Sequence, residues 1–545
     1  MMRLNRRRFL GTAAAVGASV PASWLGYRYL HHTPTVSLHK IGLPLAHALR
    51  DRSLHDKPVS QHRCRVLILG GGAAGLSAAW RFTRRGFHDF LLAEGYERNG
   101  NMAAFDAGNG LTAPTGAHYL ALPSTESSTV RQILADLGIL TGYDRHGTPQ
   151  YRDTDLVHAP AERLWHQGSW HEHLLLPDAD ARRFLQLIAP LKHARGSDGR
   201  KIFAIPIALS SADETWRRLD ELTFAQWLNA QGLHSPSLRH YLDYCCRDDY
   251  GQGINQVSAF AGLHYFCARA NEQDSVLTWS DGLNHIGEGL RRLAKLRPVS
   301  DFPATGEWHF DAPASCAASA VAIREHSDFV AVHLRHNLTG KTVAVHAEQV
   351  VCAMPLLLAA RLLHQPERYG LPLRPPEYAP WLVSNFVLHR FPAEAKHSEL
   401  AWDNVVHGST GLGYVVATHQ LIRAAKPPRT VFTAYRAFHH APPAQVRQEL
   451  LNADAQALLE PAAADLLTVY GKRFWQHVSH IDLTVRAHAM SVPLRGYLNR
   501  PDLLALRRHR SRIVFAHSDL SGYSVFEEAA HWGALAADAL AENWV

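Results

Sequence analysis

The chain has 545 residues, enough for two domains or one large interleaved pair, and its 46% hydrophobic and 19% charged content is an ordinary globular balance. Its net charge of +7 falls to +3 once Arg3, Arg6, Arg7 and Arg8 at the extreme N-terminus are set aside. No basic run is interleaved with aromatics, which leaves nucleic-acid binding without support. Six cysteines, two of them vicinal at Cys245-Cys246, form neither a zinc spacing nor a disulfide framework, and the 36 histidines are scattered, so no metal site is expected.

In chain order, Asn5-Arg6-Arg7-Arg8-Phe9-Leu10 and the Ala- and Gly-rich segment that runs to Val20 resemble a twin-arginine export signal over residues 1–22, with cleavage after Ala22. The weakly apolar part is about twelve residues long, too short to span a bilayer, which takes about twenty. The resemblance implies the twin-arginine export machinery as a partner and a periplasmic or exported location, with a membrane tether if the signal is retained. That route carries proteins already folded around their cofactors. Residues 23–61 are polar and broken by Pro34, Pro44 and Pro58, and read as an arm.

Residues 62–122 carry the strongest signal. Val66-Leu67-Ile68-Leu69 reads as a buried parallel strand, and Gly70, Gly72 and Gly75 follow at G-x-G-x-x-G spacing. Leu76, Ala79 and Phe82 recur at helical spacing, and the apolar run Phe90 to Ala93 ends in Glu94. Gly70 permits a tight turn, Gly72 lets backbone approach a pyrophosphate, and Gly75 allows close helix–strand packing. The helix N-terminus around Ala74 offers free N–H groups and a positive dipole end. Glu94 would accept from a ribose hydroxyl and would repel a 2′-phosphate, which argues against NADP. Strand, turn, helix, strand and acid occur in the order that a dinucleotide site requires.

Ala79 and Gly86 extend the small-residue spacing, and the whole stretch resembles the fingerprint of FAD-binding flavoproteins. Where flavoprotein amine oxidases carry G-G-R, this chain reads Gly100-Asn101-Met102, without the arginine. Pro114-Thr115-Gly116-Ala117-His118-Tyr119 resembles their segment near the flavin ring. Gly116 and Ala117 would admit the isoalloxazine, and His118 would project beside it, as a catalytic group or as a hydrogen-bonded loop histidine.

Residues 123–277 read as a mostly helical first piece of a substrate domain. Helices are expected over Thr129 to Leu137, around Phe184 to Leu191, and over Phe224 to Gln231 behind Thr223 as N-cap. A hairpin is expected to turn at Gln167-Gly168. The cluster Arg247-Asp248-Asp249-Tyr250-Gly251 reads as a charge-locked helix end in preference to a pocket wall.

Residues 278–360 return to the nucleotide domain. Thr278-Trp279-Ser280-Asp281-Gly282 and the helical pattern after it resemble the P-x-G-G segment of amine oxidases and carotenoid desaturases, and the strands that follow imply that Ala318 touches adenine. Residues 361–504 would supply the second substrate piece. Its strand Trp381 to Leu388 resembles one in which monoamine and polyamine oxidases often carry a lysine near the flavin, and Asn385 stands at that place. Trp402, Tyr414 and His419 read as core or pocket, and His488 as a further pocket candidate.

Residues 505–545 close the nucleotide domain. The strand Arg512 to Ala516, the turn His517 to Gly522 and the helix from Phe526 resemble the ending of the GDP-dissociation-inhibitor-like flavoprotein superfamily. By that resemblance Ser518 or Asp519 contacts ribityl or phosphate groups, and the positive helix end at Phe526 faces the flavin pyrimidine. The aromatic-cage tyrosine of monoamine oxidases falls near Val525, with Tyr523 or Phe526 as substitutes. Nothing resembles a cysteine attachment, so the FAD is expected to be non-covalent.

The expectation is therefore an α/β chain with a Rossmann-like FAD-binding domain interleaved with an α+β substrate domain. It would act as an FAD-dependent oxidoreductase that oxidises an amine by hydride transfer, with oxygen or a quinone as acceptor. A desaturase or isomerase of an apolar polyene and a non-catalytic binding protein of the same fold are the alternatives. The catalytic candidates are His118, Asn385 and Tyr523.

Overall fold

The structure is a computed structural model. It describes residues 34–541, apart from 52–53, 55–56, 270–274, 301, 303–305, 308–309, 311, 372–375 and 423–426. The export signal read over 1–22 lies outside the described residues, as does the start of the arm.

The chain is laid out on two large sheets. The rest of the arm is not irregular: β1 (Thr35–Lys40) adds in parallel to the edge of the second sheet. β2 (Gln61–Leu69) is buried from Val66 to Leu69, as the centre of a parallel sheet covered on both faces must be. α1 (Ala73–Arg84) crosses back, and β3 (Phe90–Ala93) pairs in parallel with β2, Val66 opposite Phe90 and Leu69 opposite Ala93. This register brings Gly70 and Glu94 out side by side at the carboxyl edge. Gly70 N–H donates to Ala93 O at 2.9 Å and Gly71 N–H to Glu94 O at 2.8 Å.

Helices then dominate, among them α2 (Pro236–Tyr250) and α3 (Ala259–Cys267). Those anticipated after 123 are present as Ser128–Asp136, Ala179–Leu191 and Phe224–Ala230, and the hairpin turns at Gln167 and Gly168, both at positive φ. The first of these helices differs in its packing: Val130, Ile133 and Leu134 join the core around α1 and not that of the later helices. Thr223 and Gln226 close a capping box on Phe224–Ala230, with Gln226 N–H donating to Thr223 Oγ1 at 3.1 Å and Thr223 N–H to Gln226 Oε1 at 2.9 Å. Thr223→Ala should cost about 1 kcal/mol, read as a lowered Tm.

α4 (Asn284–Leu293) returns to the nucleotide sheet, where β4 (Ala314–Cys316) pairs with β3. β5 (Ala318–Glu325), β6 (Val330–His336) and β7 (Thr342–Cys352) form an antiparallel meander, and β7 continues in parallel beside β2. The second sheet centres on β8 (Tyr378–Leu388), flanked antiparallel by β9 (Thr430–Ala437) and β10 (Val478–Ser491). Along β8, Trp381 and Val383 face the helical core with Phe184, Phe224 and Phe260, while Leu382 and Phe386 face the opposite core, as strand alternation requires. β11 (Ile513–Phe515) pairs with β7, and α5 (Phe526–Ala541) lies on α1. The contact between those helices is close enough that a Cβ on Gly533 would stand 2.1 Å from Ala74 O. The result is the expected α/β fold, with two interleaved bodies built on a mostly parallel and a mostly antiparallel sheet.

Candidate active site

The carboxyl ends of β2, β3 and β7 open on a cleft of about 310 Å³, the position at which open α/β sheets bind ligands. Gly70, Gly72, Ala74, Glu94, Ala117, Ser518, Asp519 and Phe526 all line it, drawn from both ends of the chain. Gly72 is the N-cap of α1 with no side chain capping the helix, and a Cβ there would meet nothing within 4 Å. Gly75 does the opposite: a Cβ there would stand 1.8 Å from Gly70 O, so it sets the helix against the turn from behind. Gly116 also sits behind the lining, where a Cβ would be 2.1 Å from Asn101 O; its own carbonyl accepts from Tyr435 O–H at 3.1 Å.

Glu94 is fixed by a cation from α4, with Arg291 Nη1 2.7 Å from its Oε1 and Arg98 at 3.6 Å. Arg291 in turn donates to Asn99 Oδ1 at 2.7 Å. Asp519 is fully buried, and its Oδ2 accepts from Leu356 N–H at 2.9 Å and from Tyr378 O–H at 2.5 Å, while its Oδ1 has no hydrogen-bond partner among the described residues and lies 3.3 Å from His517 Nδ1. A glycine cradle at an uncapped helix end, an acid at the end of the second strand and an unsatisfied buried carboxylate oxygen fit a dinucleotide. Residues 70–74, Glu94, Ala117, Ser518, Asp519 and Phe526 would hold FAD. Met102 stands in the cleft without a charge, and Arg486 from β10 brings a cation nearby, with its guanidinium on Glu97 at 2.8 Å and Asn101 at 3.1 Å.

Asn101, Ala117, Val525 and Phe526 also line a second, inner cavity of about 140 Å³, so the two spaces share a wall. Its sides are aromatic. His118 stacks on Tyr435 with centroids 4.5 Å apart and lies 5.0 Å from Tyr119, and Trp381 completes that side. The apolar setting pushes the His118 pKa down to about 3, so its imidazole is neutral.

The remaining wall is charged. Tyr119 O–H donates to Asp248 Oδ2 at 2.9 Å, and Arg269 pairs with Asp249 at 2.8 Å and with Glu527 at 3.5 Å. Burial, with Asp249 adjacent, lifts the Asp248 pKa to about 7. Burial also raises Glu527, against the pull of Arg269. Asp248 and Asp249 therefore face the cavity instead of only locking the end of α2, because the left-handed Gly251 already terminates that helix.

Three sequence-based assignments are corrected. Asn385 is fully buried outside both cavities: its Nδ2 donates to Pro114 O at 3.1 Å and its Oδ1 accepts from Thr433 O–H at 2.7 Å. Strand alternation puts it on the face of Trp381 and Val383, but the loop at Pro114 covers it, and those two residues line the cavity instead. Tyr523 lies in the helical core, 5.6 Å from Tyr250 and 5.0 Å from His264, with its hydroxyl unpartnered among the described residues, while its neighbours Ser524 and Val525 reach the cavity. Tyr523→Phe should therefore change kcat/KM by less than about twofold. Ala318 stands behind the cleft, its carbonyl accepting from Gly95 N–H at 2.9 Å, and does not line it. His488 does line the cleft, whereas Tyr414 and His419 are tied to Tyr470 and His158 elsewhere.

A dinucleotide cleft that shares a wall with an aromatic-lined cavity fits an FAD-dependent oxidoreductase, in which the cofactor carries the redox step and the protein binds and orients. The profile of flavin containing amine oxidoreductases matches residues 73–541, and the chain belongs to that family. Among curated proteins no sequence match is found. Solved structures agree in fold. A putrescine oxidase redesigned in its cofactor binding aligns with TM-score 0.61 and 15% identity over 88% of this chain and 100% of its own. Cyclohexylamine oxidase from Brevibacterium oxydans IH-35A gives 0.60 and 15% over 88% and 99%. The CLA-producing fatty acid isomerase from P. acnes gives 0.54 and 15% over the same shares.

Proposed function

We propose that the chain oxidises an amine bearing an apolar or aromatic group, using non-covalent FAD. The observation that carries this reading is Asp248, an acid in the wall of the inner cavity that, among the described residues, accepts a hydrogen bond from the neutral Tyr119 hydroxyl. Arg269 is already shared between Asp249 and Glu527, so a cationic amine is the complement that Asp248 lacks. The ring faces of Tyr119, Trp381 and Tyr435 suit both the cation and its apolar substituent.

Bound at residues 70–74, Glu94, Ser518 and Asp519, FAD would supply the hydride acceptor. Ionised Asp248 draws in the ammonium and takes its proton, which leaves the neutral amine needed for oxidation. His118, neutral and stacked on Tyr435, closes the cavity without competing for that proton. All six cysteines are buried and none lines either cavity, which supports a non-covalent cofactor. Oxygen or a quinone would reoxidise it. The run Arg6-Arg7-Arg8 before Phe9-Leu10 supports export by the twin-arginine route to the periplasm.

The test is the pH dependence of kcat/KM for amine oxidation. It should rise as Asp248 ionises through about pH 7, a limb separate from that of a free amine titrating near 10. Asp248→Asn should lose the lower limb. A profile with the same limb in the variant would remove Asp248 from this role. A second reading, desaturation or isomerisation of an apolar polyene, draws on the apolar lining by Leu120, Val383, Met490 and Val525. It leaves Asp248 without a cationic partner.

A further inference from the structure

A separate concavity of about 440 Å³ lies where the helix Ser128–Asp136 and the strands Leu140–Tyr143 and Pro149–Tyr151 meet the loop after the helix Ala179–Leu191. Among the described residues, Arg131, Lys192, Arg195 and Lys201 line it against a single carboxylate, Glu126. Lys201 is the inner cation. Its side chain is 12% exposed, Glu126 stands off at 3.9 Å, and its hydrogen bond to Ala268 O is long at 3.5 Å. Burial lowers its pKa, as expected of an ammonium short of partners.

Two further features of the same loop point to an anion. Ser124 lines the cleft, is 4% exposed, and its Oγ has no hydrogen-bond partner among the described residues, a desolvation cost that a ligand oxygen would remove. Ser127, the N-cap of the helix Ser128–Asp136, gives its hydroxyl to Ile205 O, so no side chain caps that positive helix end.

We propose that this cleft is an anion site that takes a phosphoryl group. Four cations and a buried hydroxyl exceed what a singly charged, two-oxygen carboxylate satisfies, whereas a phosphoryl group offers two charges and three oxygens to guanidinium and ammonium donors. The site is distinct from the dinucleotide cleft but close to the active site. Leu120 and Ala121 line the inner cavity while Leu122 and Ser124 line the basic cleft, and Lys201 touches Ala268, the neighbour of cavity-lining Arg269. The ligand is a soluble phosphate ester or the headgroup of an anionic lipid.

The test is calorimetric titration of the FAD-loaded full chain, its own phosphate cleft filled, with inorganic phosphate and pyrophosphate. Binding should saturate at one equivalent, weaken with added salt, and fall at least about tenfold when Lys192→Gln and Arg195→Gln are combined. Lys201→Gln should act in the same direction. Flavin absorbance and Tm show whether each variant is still folded, and the Lys192 and Arg195 pair serves as the readout if Lys201→Gln does not fold. Retention on phosphatidylglycerol but not phosphatidylcholine vesicles, reversed by pyrophosphate, identifies the lipid source; phosphate binding without vesicle retention identifies a soluble ester. No saturable binding with Kd below about 10 mM, or equal binding by the double variant, overturns the proposal.

Discussion

Gly72→Ala should purify as a folded, colourless protein. Its φ of −79° is open to alanine, and the added Cβ meets no protein atom within 4 Å, so the apoprotein loses little stability. That methyl would stand in the cleft at the uncapped end of α1, where backbone N–H groups are the phosphate donors. Charge-assisted hydrogen bonds of this kind are among the stronger polar contacts, and FAD affinity should fall about a hundredfold, measured by titrating apoprotein with FAD. Gly75→Ala separates binding from packing. Its Cβ would stand 1.8 Å from Gly70 O and 3.0 Å from Gly70 C, both backbone atoms, so α1 must move off the turn. The expected cost is about 3 kcal/mol or more, with loss of flavin and a lowered apoprotein Tm together. Equal Tm losses for the two variants would show that the open space at Gly72 is not where the cofactor lies.

Asp248→Asn should retain flavin at the parent level and lose about tenfold to a hundredfold in kcat/KM for amines. The amide keeps an oxygen for the Tyr119 hydroxyl, so the wall persists while the charge goes. The loss should be largest between about pH 7 and 9, where Asp248 is ionised and amines are cations, and should shrink below that range as Asp248 protonates and above it as the neutral amine becomes abundant. Steady-state kinetics across that range, with flavin content measured in each preparation, checks both limbs. An equal loss at every pH would point to a packing role for Asp248.

Local chemistry was readable from the chain and long-range pairing was not. The dinucleotide turn is a contiguous pattern, because a strand, a glycine turn and a helix dictate one another within a dozen residues, and the α/β fold followed from it together with the strand at Ile513 and the last helix. The cation on Glu94 comes from Arg291, and the hydroxyl on Asp248 from Tyr119, in segments far apart in sequence, and no spacing announces either. Asn385 illustrates a second limit. Alternation along β8 fixes which face a residue takes, but not which part of that face a distant loop such as Pro114 covers. Tyr523 failed for a related reason: near a helix start, a shift of one or two positions turns a side chain from the cavity into the core. The acid pair at 248–249 was visible, but a helix end explains such charges equally well until Arg269 is seen opposite them.

The most direct measurement is the visible spectrum of the purified protein under anaerobic addition of an amine panel that includes alkyl, aryl and diamine members. A two-banded flavin spectrum that bleaches with at least one amine, and recovers on admission of oxygen or a quinone, is the predicted result. A flavin spectrum left unchanged by every amine would contradict amine oxidation while leaving the flavoprotein fold intact.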